Sequence, residues 1–311
     1  MTTHPDDEFH PPTSDDPEWT ETMWFAFAVP EHDLSLWTYS FSRVNLGVAA
    51  SGVYVWNGFD QHAATCPYGK MFWHLPFPTT PLSDVQFANG LRYRAIEPLQ
   101  RYEVGYDDPD GDALHVDLTF DAIVAPVALQ SHVDQPGRVT GTITLDGEVI
   151  EVDGGVGFRD RSWGVRRQFG EGVMGQTAYA SYTHGTTAEG DGFFTLAGHY
   201  GEGPTGVSTT NVHGYLRRGG ELSMLASARR EVLERSPTSA QPTRLAVEGT
   251  DQLGRSFRAE GSTRNGCGIQ LNPNLWCLNS MVEWDLDGTR AIGEDHDNWS
   301  PAGYRRFWAG R

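Results

Sequence analysis

Five glycine pairs most constrain what this chain can fold into: Asp110-Gly111, Asp146-Gly147, Asp191-Gly192, Gly219-Gly220 and Asp287-Gly288. Asp-Gly and Gly-Gly supply the φ > 0 residues of a two-residue hairpin turn, so each pair predicts two antiparallel strands meeting there. The chain's 36 glycines are spread along its whole length between polar and apolar runs. That is the punctuation of an all-β protein. The best-patterned stretch is residues 138–154, RVTGTITLDGEVIEVDG. Val139, Ile143 and Leu145 precede the Asp146-Gly147 turn, and Val149, Ile150 and Val152 follow it, β-branched on both arms. The run ELSMLASARREVLER after Gly219-Gly220 is the one serious helix candidate, because Leu, Ala, Arg and Glu favour helices. A Gly-Gly turn before it and a strand-like run after it favour a strand.

Several chemistries are pruned by composition. The chain carries 23 Lys+Arg against 41 Asp+Glu, a net charge of -18, which disfavours nucleic acid and anionic membrane as partners. Lys70 is the only lysine and sits in YGKM, which is no phosphate-binding loop. Cys66, Cys267 and Cys277 are an odd number with no C-x-x-C, so neither a disulfide framework nor a zinc knuckle is expected. The eleven histidines form no i, i+2 or i, i+4 pair, so no local metal site is expected, and only one assembled across strands stays open. The first twenty residues are acidic and Pro-rich with no apolar signal region, and no stretch of 18 apolar residues follows, so no membrane span is expected and a reducing cytoplasm is the default compartment. Oligomeric state stays open, a homodimer included.

Gly201-Glu202-Gly203-Pro204-Thr205-Gly206 matches G-x-G-x-x-G literally, but a strand pattern follows where a dinucleotide site needs a helix. A turn is the better reading. The N-terminal half is rich in aromatic residues with alternation that sends one set of rings to one face. Barrel core is the ordinary fate of such rings. Their number also suggests a cavity, with Trp24, Phe27, Trp56, Trp73 and Tyr179 as candidate lining.

One segment resists a bland account: Gly157-Phe158-Arg159-Asp160-Arg161-Ser162-Trp163-Gly164-Val165-Arg166. In an extended chain Arg159, Arg161 and Trp163 share one face, and Asp160 and Ser162 the other. The Asp160 carboxylate then either pairs with arginine, which is structural and lowers its pKa, or faces an apolar cavity, which raises it and makes it a general acid.

This block, preceded by His132-x-Asp134-Gln135-x-Gly137-Arg138-Val139-Thr140-Gly141 and a D-G hairpin, resembles the AttH and carotenoid 1,2-hydratase (hydroxyneurosporene synthase) superfamily, closest to a bacterial branch with an R-D-R-S-W-G motif. Trp19-Thr20-Glu21-Thr22, Arg43-Val44-Asn45-Leu46-Gly47 and Gly293-Glu294-Asp295-His296-Asp297 agree with that branch. The resemblance implies two lipocalin-like antiparallel barrels, set here at 18–155 and 156–311, with cofactor-independent chemistry on an apolar small molecule. Relatives often carry His where this chain has Arg161, as D-H-x-W. That difference moves the expected acid–base pair to Asp160 and His132, with Trp24, Asn45, Trp56, Trp73, Trp163 and Tyr179 around the substrate. A hydratase, dehydratase or isomerase acting on a terpenoid or steroid-like molecule is expected. The alternative is a lipocalin-like carrier for a hydrophobic ligand, in which Asp160 and arginine only close a seam.

Overall fold

The computed structural model describes residues 3–167, 179–199, 207–208, 211–272 and 274–310. It is all-β, and the chain divides into two compact units: residues 1–56 with 66–166, and residues 57–65 with 167–311. The division falls at 166/167 and not at 155/156. The strand Glu148–Val165 runs unbroken through that earlier point and pairs along its length inside the first unit.

The first unit is one curled antiparallel sheet. Its strands lie in the order Tyr68–Pro76, Val48–Trp56, Leu34–Arg43, Trp19–Val29, Glu148–Val165, His132–Leu145, Leu114–Ala122, Arg101–Asp107, Arg92–Glu97 and Asp84–Gln86, with Val127–Leu129 beside His132–Leu145. The hairpin expected at 138–154 is present: Asp146 and Gly147 take φ of 50° and 84°, and Ile143 faces Ile150 across it. Alternation then decides what the sheet buries. On Trp19–Val29 the odd residues Met23, Phe25, Phe27 and Val29 enter a core with Tyr93, Tyr102, Phe120, Val139 and Ile143. Each such side chain, fully buried, contributes roughly 1.5–3 kcal/mol. The even residues are buried as well, so both faces of this strand lie away from solvent.

In the second unit eight strands close into a barrel: Glu221–Arg235, Asn211–Arg218, Gly192–His199, Tyr179–Thr187, Thr289–Trp299, Leu275–Leu286, Ser256–Asn272, Pro242–Asp251, and back to Glu221–Arg235. The helix-prone run at 221–235 is therefore a strand. Pairing on both sides outweighs its helix propensity, a difference of only tenths of a kcal/mol per residue. The inward face is packed by Phe193, Leu216, Leu245, Val247, Phe257, Val282 and Trp284. Farther along the same strands Arg230 lies between Asp295 and Asp297 at 2.5 and 3.0 Å. The α-helix Pro301–Ala309, the only one among the described residues, starts on a Ser300 cap and packs Phe307 and Tyr304 against Trp299. The G-x-G-x-x-G run at 201–206 lies outside the described residues.

Candidate active site

The arginine-rich block occupies the end of the strand Glu148–Val165, where alternation separates its charges. Arg159 and Arg161, both wholly buried, turn to the core side. Arg159 donates from Nη2 to Asp7 Oδ1 at 2.8 Å and lies 4.4 Å over the Tyr102 ring. Arg161 reaches Glu21 Oε2 at 2.6 Å and donates to the Thr22 carbonyl at 3.1 Å. Two guanidinium groups taken out of water are thus matched by two buried carboxylates, which such burial requires. Trp163 shares this side and stacks on His10 at 3.8 Å.

Asp160 points the other way. Its Oδ2 lies 2.9 Å from His132 Nε2, and Asp134 Oδ1 lies 3.0 Å from the same nitrogen. Strand register explains the convergence, because Asp134 is the cross-strand partner of Asp160 and His132 that of Ser162. Asp134 is wholly buried, while the His132 and Asp160 side chains keep 20% and 13% exposure, so the pair is reachable from outside. Burial by itself would lower the His132 pKa. The Asp160 and Asp134 carboxylates outweigh it and push the imidazole up to about 11. At neutral pH the site is an imidazolium shared by two carboxylates.

Aromatic rings surround this triad on the same sheet face. Trp24 is the direct neighbour of Asp160 across the strands, with Phe158 at 6.2 Å and Trp37 edge-on at 5.5 Å. Tyr39 stacks on Trp37 at 5.7 Å. Trp56 is on this face by register, and its buried indole nitrogen makes no hydrogen bond. A proton donor and two acceptors therefore sit in a wall of rings, suited to an apolar molecule with one polar group. Ligand atoms of His132, Asp134 and Asp160 also lie within 4.8 Å of one another. A protonated imidazole has no lone pair for a cation, so a metal would first have to displace that proton.

Of the residues expected around a substrate, the fold gathers Trp24 and Trp56 on the face of Asp160 and His132. It places Trp163, Phe27, Asn45 and Trp73 elsewhere. Trp163 and Phe27 lie on the opposite face, the first on His10 and the second in the core, because odd and even positions of a strand diverge. Asn45 donates its amide to the carbonyls of Ser14 and Asp16 at 2.9 and 2.7 Å, tying down the N-terminal segment. Trp73 is on the outermost strand and 46% exposed. The Tyr179 side chain lies outside the described residues, its backbone opening a strand of the second unit. Sequence reasoning missed Asp134, Trp37, Tyr39 and Phe158. For Asp134 a signal existed, since H-x-D at period two puts both side chains on one face of a strand.

The family model described as a domain of unknown function, DUF7064, matches residues 3–299. Among curated proteins none matches the chain by sequence. The fold is AttH-like. An AttH candidate from Nitrosomonas europaea superposes with a TM-score of 0.60 at 12% identity, over 96% of this chain and 95% of that one. CghA, solved with Sch210972, gives 0.56 at 14% identity over 91% and 89%. Kievitone hydratase from Nectria haematococca gives 0.56 at 11% identity over 94% and 94%.

Proposed function

Since the chain belongs to the DUF7064 family and folds like a hydratase of known structure, we propose that it is an enzyme acting on an apolar small molecule by proton transfer at Asp160 and His132. The observation that carries this reading is the His132 imidazolium held by Asp160 and Asp134 within a face of aromatic rings. The reaction is a hydration, a dehydration or an isomerisation. In the dehydrating direction the imidazolium gives its proton to a leaving hydroxyl as the C–O bond breaks, and a carboxylate takes a proton from the adjacent carbon. Water and an alkene result, nothing is oxidised or reduced, and the site needs no redox cofactor. General acid–base assistance of this kind is worth about 10²- to 10⁴-fold in rate. A terpenoid or steroid-like skeleton fits the chemistry of Trp24, Trp37, Tyr39 and Phe158, and the R-D-R-S-W-G block would mark the bacterial branch that shares the site.

The carrier reading finds less support. A lipocalin-like carrier holds its ligand inside a barrel, and here the barrel's inward face is packed by Phe193, Phe257 and Trp284 and crossed by the Arg230 ion pairs. The test is a metabolite screen for a turned-over apolar substrate, followed by Asp160→Asn. A folded variant that keeps full rate would remove Asp160 from the mechanism.

A further inference from the structure

The side chains gathered at Asp160 can hold more than a proton. His132 Nε2 lies 3.0 Å from Asp134 Oδ1 and 2.9 Å from Asp160 Oδ2, and one ligand atom from each residue falls within 4.8 Å of the other two. No other set of three histidine, cysteine or carboxylate side chains converges in this way among the described residues. Two paired strands hold it: His132 and Asp134 stand two apart on His132–Leu145, and Asp160 is the cross-strand partner of Asp134 on Glu148–Val165. Backbone pairing, and not a loop, sets the spacing.

Ligand atoms about 2.0–2.2 Å from a small divalent ion stand roughly 2.8–3.6 Å apart, from six-fold to four-fold coordination. Both distances to Nε2 fall in that range, so an ion can take the place of the shared proton without moving a strand. Charge favours the exchange. One imidazolium faces two carboxylates and leaves a negative charge over; a divalent ion beside a neutral imidazole balances both carboxylates. The carboxylates that hold the proton act on the ion with twice the charge. Asp134 is wholly buried, while the exposed edges of His132 and Asp160 leave an approach for the ion and room for water in its shell. The net charge of -18 draws cations toward it. The donor set selects among them: an imidazole nitrogen with two carboxylate oxygens suits zinc and its first-row neighbours, whereas calcium takes six to eight oxygens and magnesium keeps its water.

We propose that His132, Asp134 and Asp160 form a binding site for a first-row divalent cation of the zinc class. The binding stands apart from the proton-transfer reading. Its consequence rests on that reading: an ion on Nε2 occupies the place of the proton that the reaction uses, so the filled site is the inactive form. The test is calorimetric titration of the EDTA-treated full chain with zinc chloride. The wild type should show a site in the micromolar range, and zinc should raise Tm by several degrees, an effect that EDTA reverses. His132→Gln and Asp160→Asn should each weaken binding by about 100-fold or more, the upper end of what loss of an outer-shell partner does. If neither variant folds, anomalous diffraction at the zinc edge from wild-type crystals locates the ion. A wild-type Kd weaker than about 1 mM, folded variants that bind as tightly as the wild type, or an ion seated on other residues would each overturn the site. Zinc bound at these three residues that leaves turnover of an identified substrate unchanged would support the site and count against the proton-transfer reading.

Discussion

Asp160 and Arg161, adjacent in the chain, face opposite sides of one strand and pair with different partners: Asp160 with His132 at 2.9 Å, Arg161 with Glu21 at 2.6 Å. That separation keeps the carboxylate from being consumed by the arginines beside it. Asp160→Asn therefore should leave the Arg159 and Arg161 pairs intact and act on His132. The imidazole keeps Asp134, so its pKa should fall from about 11 yet stay above the ordinary value of 6.5. Titration of the His132 ring by NMR reads this directly, and an unchanged curve would show that Asp160 is not its partner. Activity on an identified substrate should drop by about 10²-fold or more.

The same shift fixes the sign of a pH effect on stability. The folded-state pKa of His132 lies above its unfolded value, so the stabilisation is fully present below about 6.5. It declines as pH rises through about 11, when the folded imidazolium loses its proton. Urea midpoints measured from pH 7 to 11 should fall with rising pH, and His132→Gln should flatten part of that slope. A His132→Gln slope equal to wild type would assign the alkaline loss to other groups.

The fold was legible where turn chemistry is local. Asp287-Gly288 and Gly219-Gly220 take positive φ at both residues, as Asp146-Gly147 does. At Asp191-Gly192 neither residue does, and Gly190, at φ 85°, makes the turn one step earlier. Site residues were legible only as far as alternation reaches. The split between Arg159, Arg161 and Trp163 on one side and Asp160 and Ser162 on the other follows from period two alone. Which ring joins which face did not follow, because Trp24 and Phe25 are equally apolar neighbours on a strand buried on both sides. Asp134 meets Asp160 only through the register of a long hairpin with a shift between Val139 and Thr140, which no local pattern encodes.

Asp7 makes the N-terminal segment part of the first unit. Its carboxylate accepts from Arg159 at 2.8 Å, from the Tyr102 hydroxyl at 2.7 Å and from the Leu99 backbone at 2.9 Å, all away from solvent. Asp7→Ala leaves a buried guanidinium without its carboxylate, a loss on the order of 3 kcal/mol. Equilibrium unfolding in urea should show a lower midpoint of that size. A change under about 0.5 kcal/mol, the range of ordinary surface substitutions, would mean that the strap contributes little.

Inside the barrel Arg230 donates from Nε to Asp295 Oδ1 at 2.7 Å and lies 3.0 Å from Asp297, which also takes Arg235 at 2.5 Å and the Trp299 indole at 2.9 Å. Thr183 donates to Asp295 at 2.7 Å, so each carboxylate holds several charge-assisted or neutral bonds in a space without exposure. Removing only the cation, Arg230→Met, strands the Asp295 charge there, while Asp297 keeps Arg235, and should cost about 3–5 kcal/mol. Removing Asp295 as well, in Arg230→Met with Asp295→Leu, exchanges a desolvated pair for apolar contact with the core of Trp284 and Val282. That double variant should recover most of the loss, since the desolvation penalty disappears with the attraction it opposed. The double-mutant cycle should therefore show coupling of about 2 kcal/mol or more. Two single effects that simply add would mean that the arginine acts through packing of its stem and not through its charge.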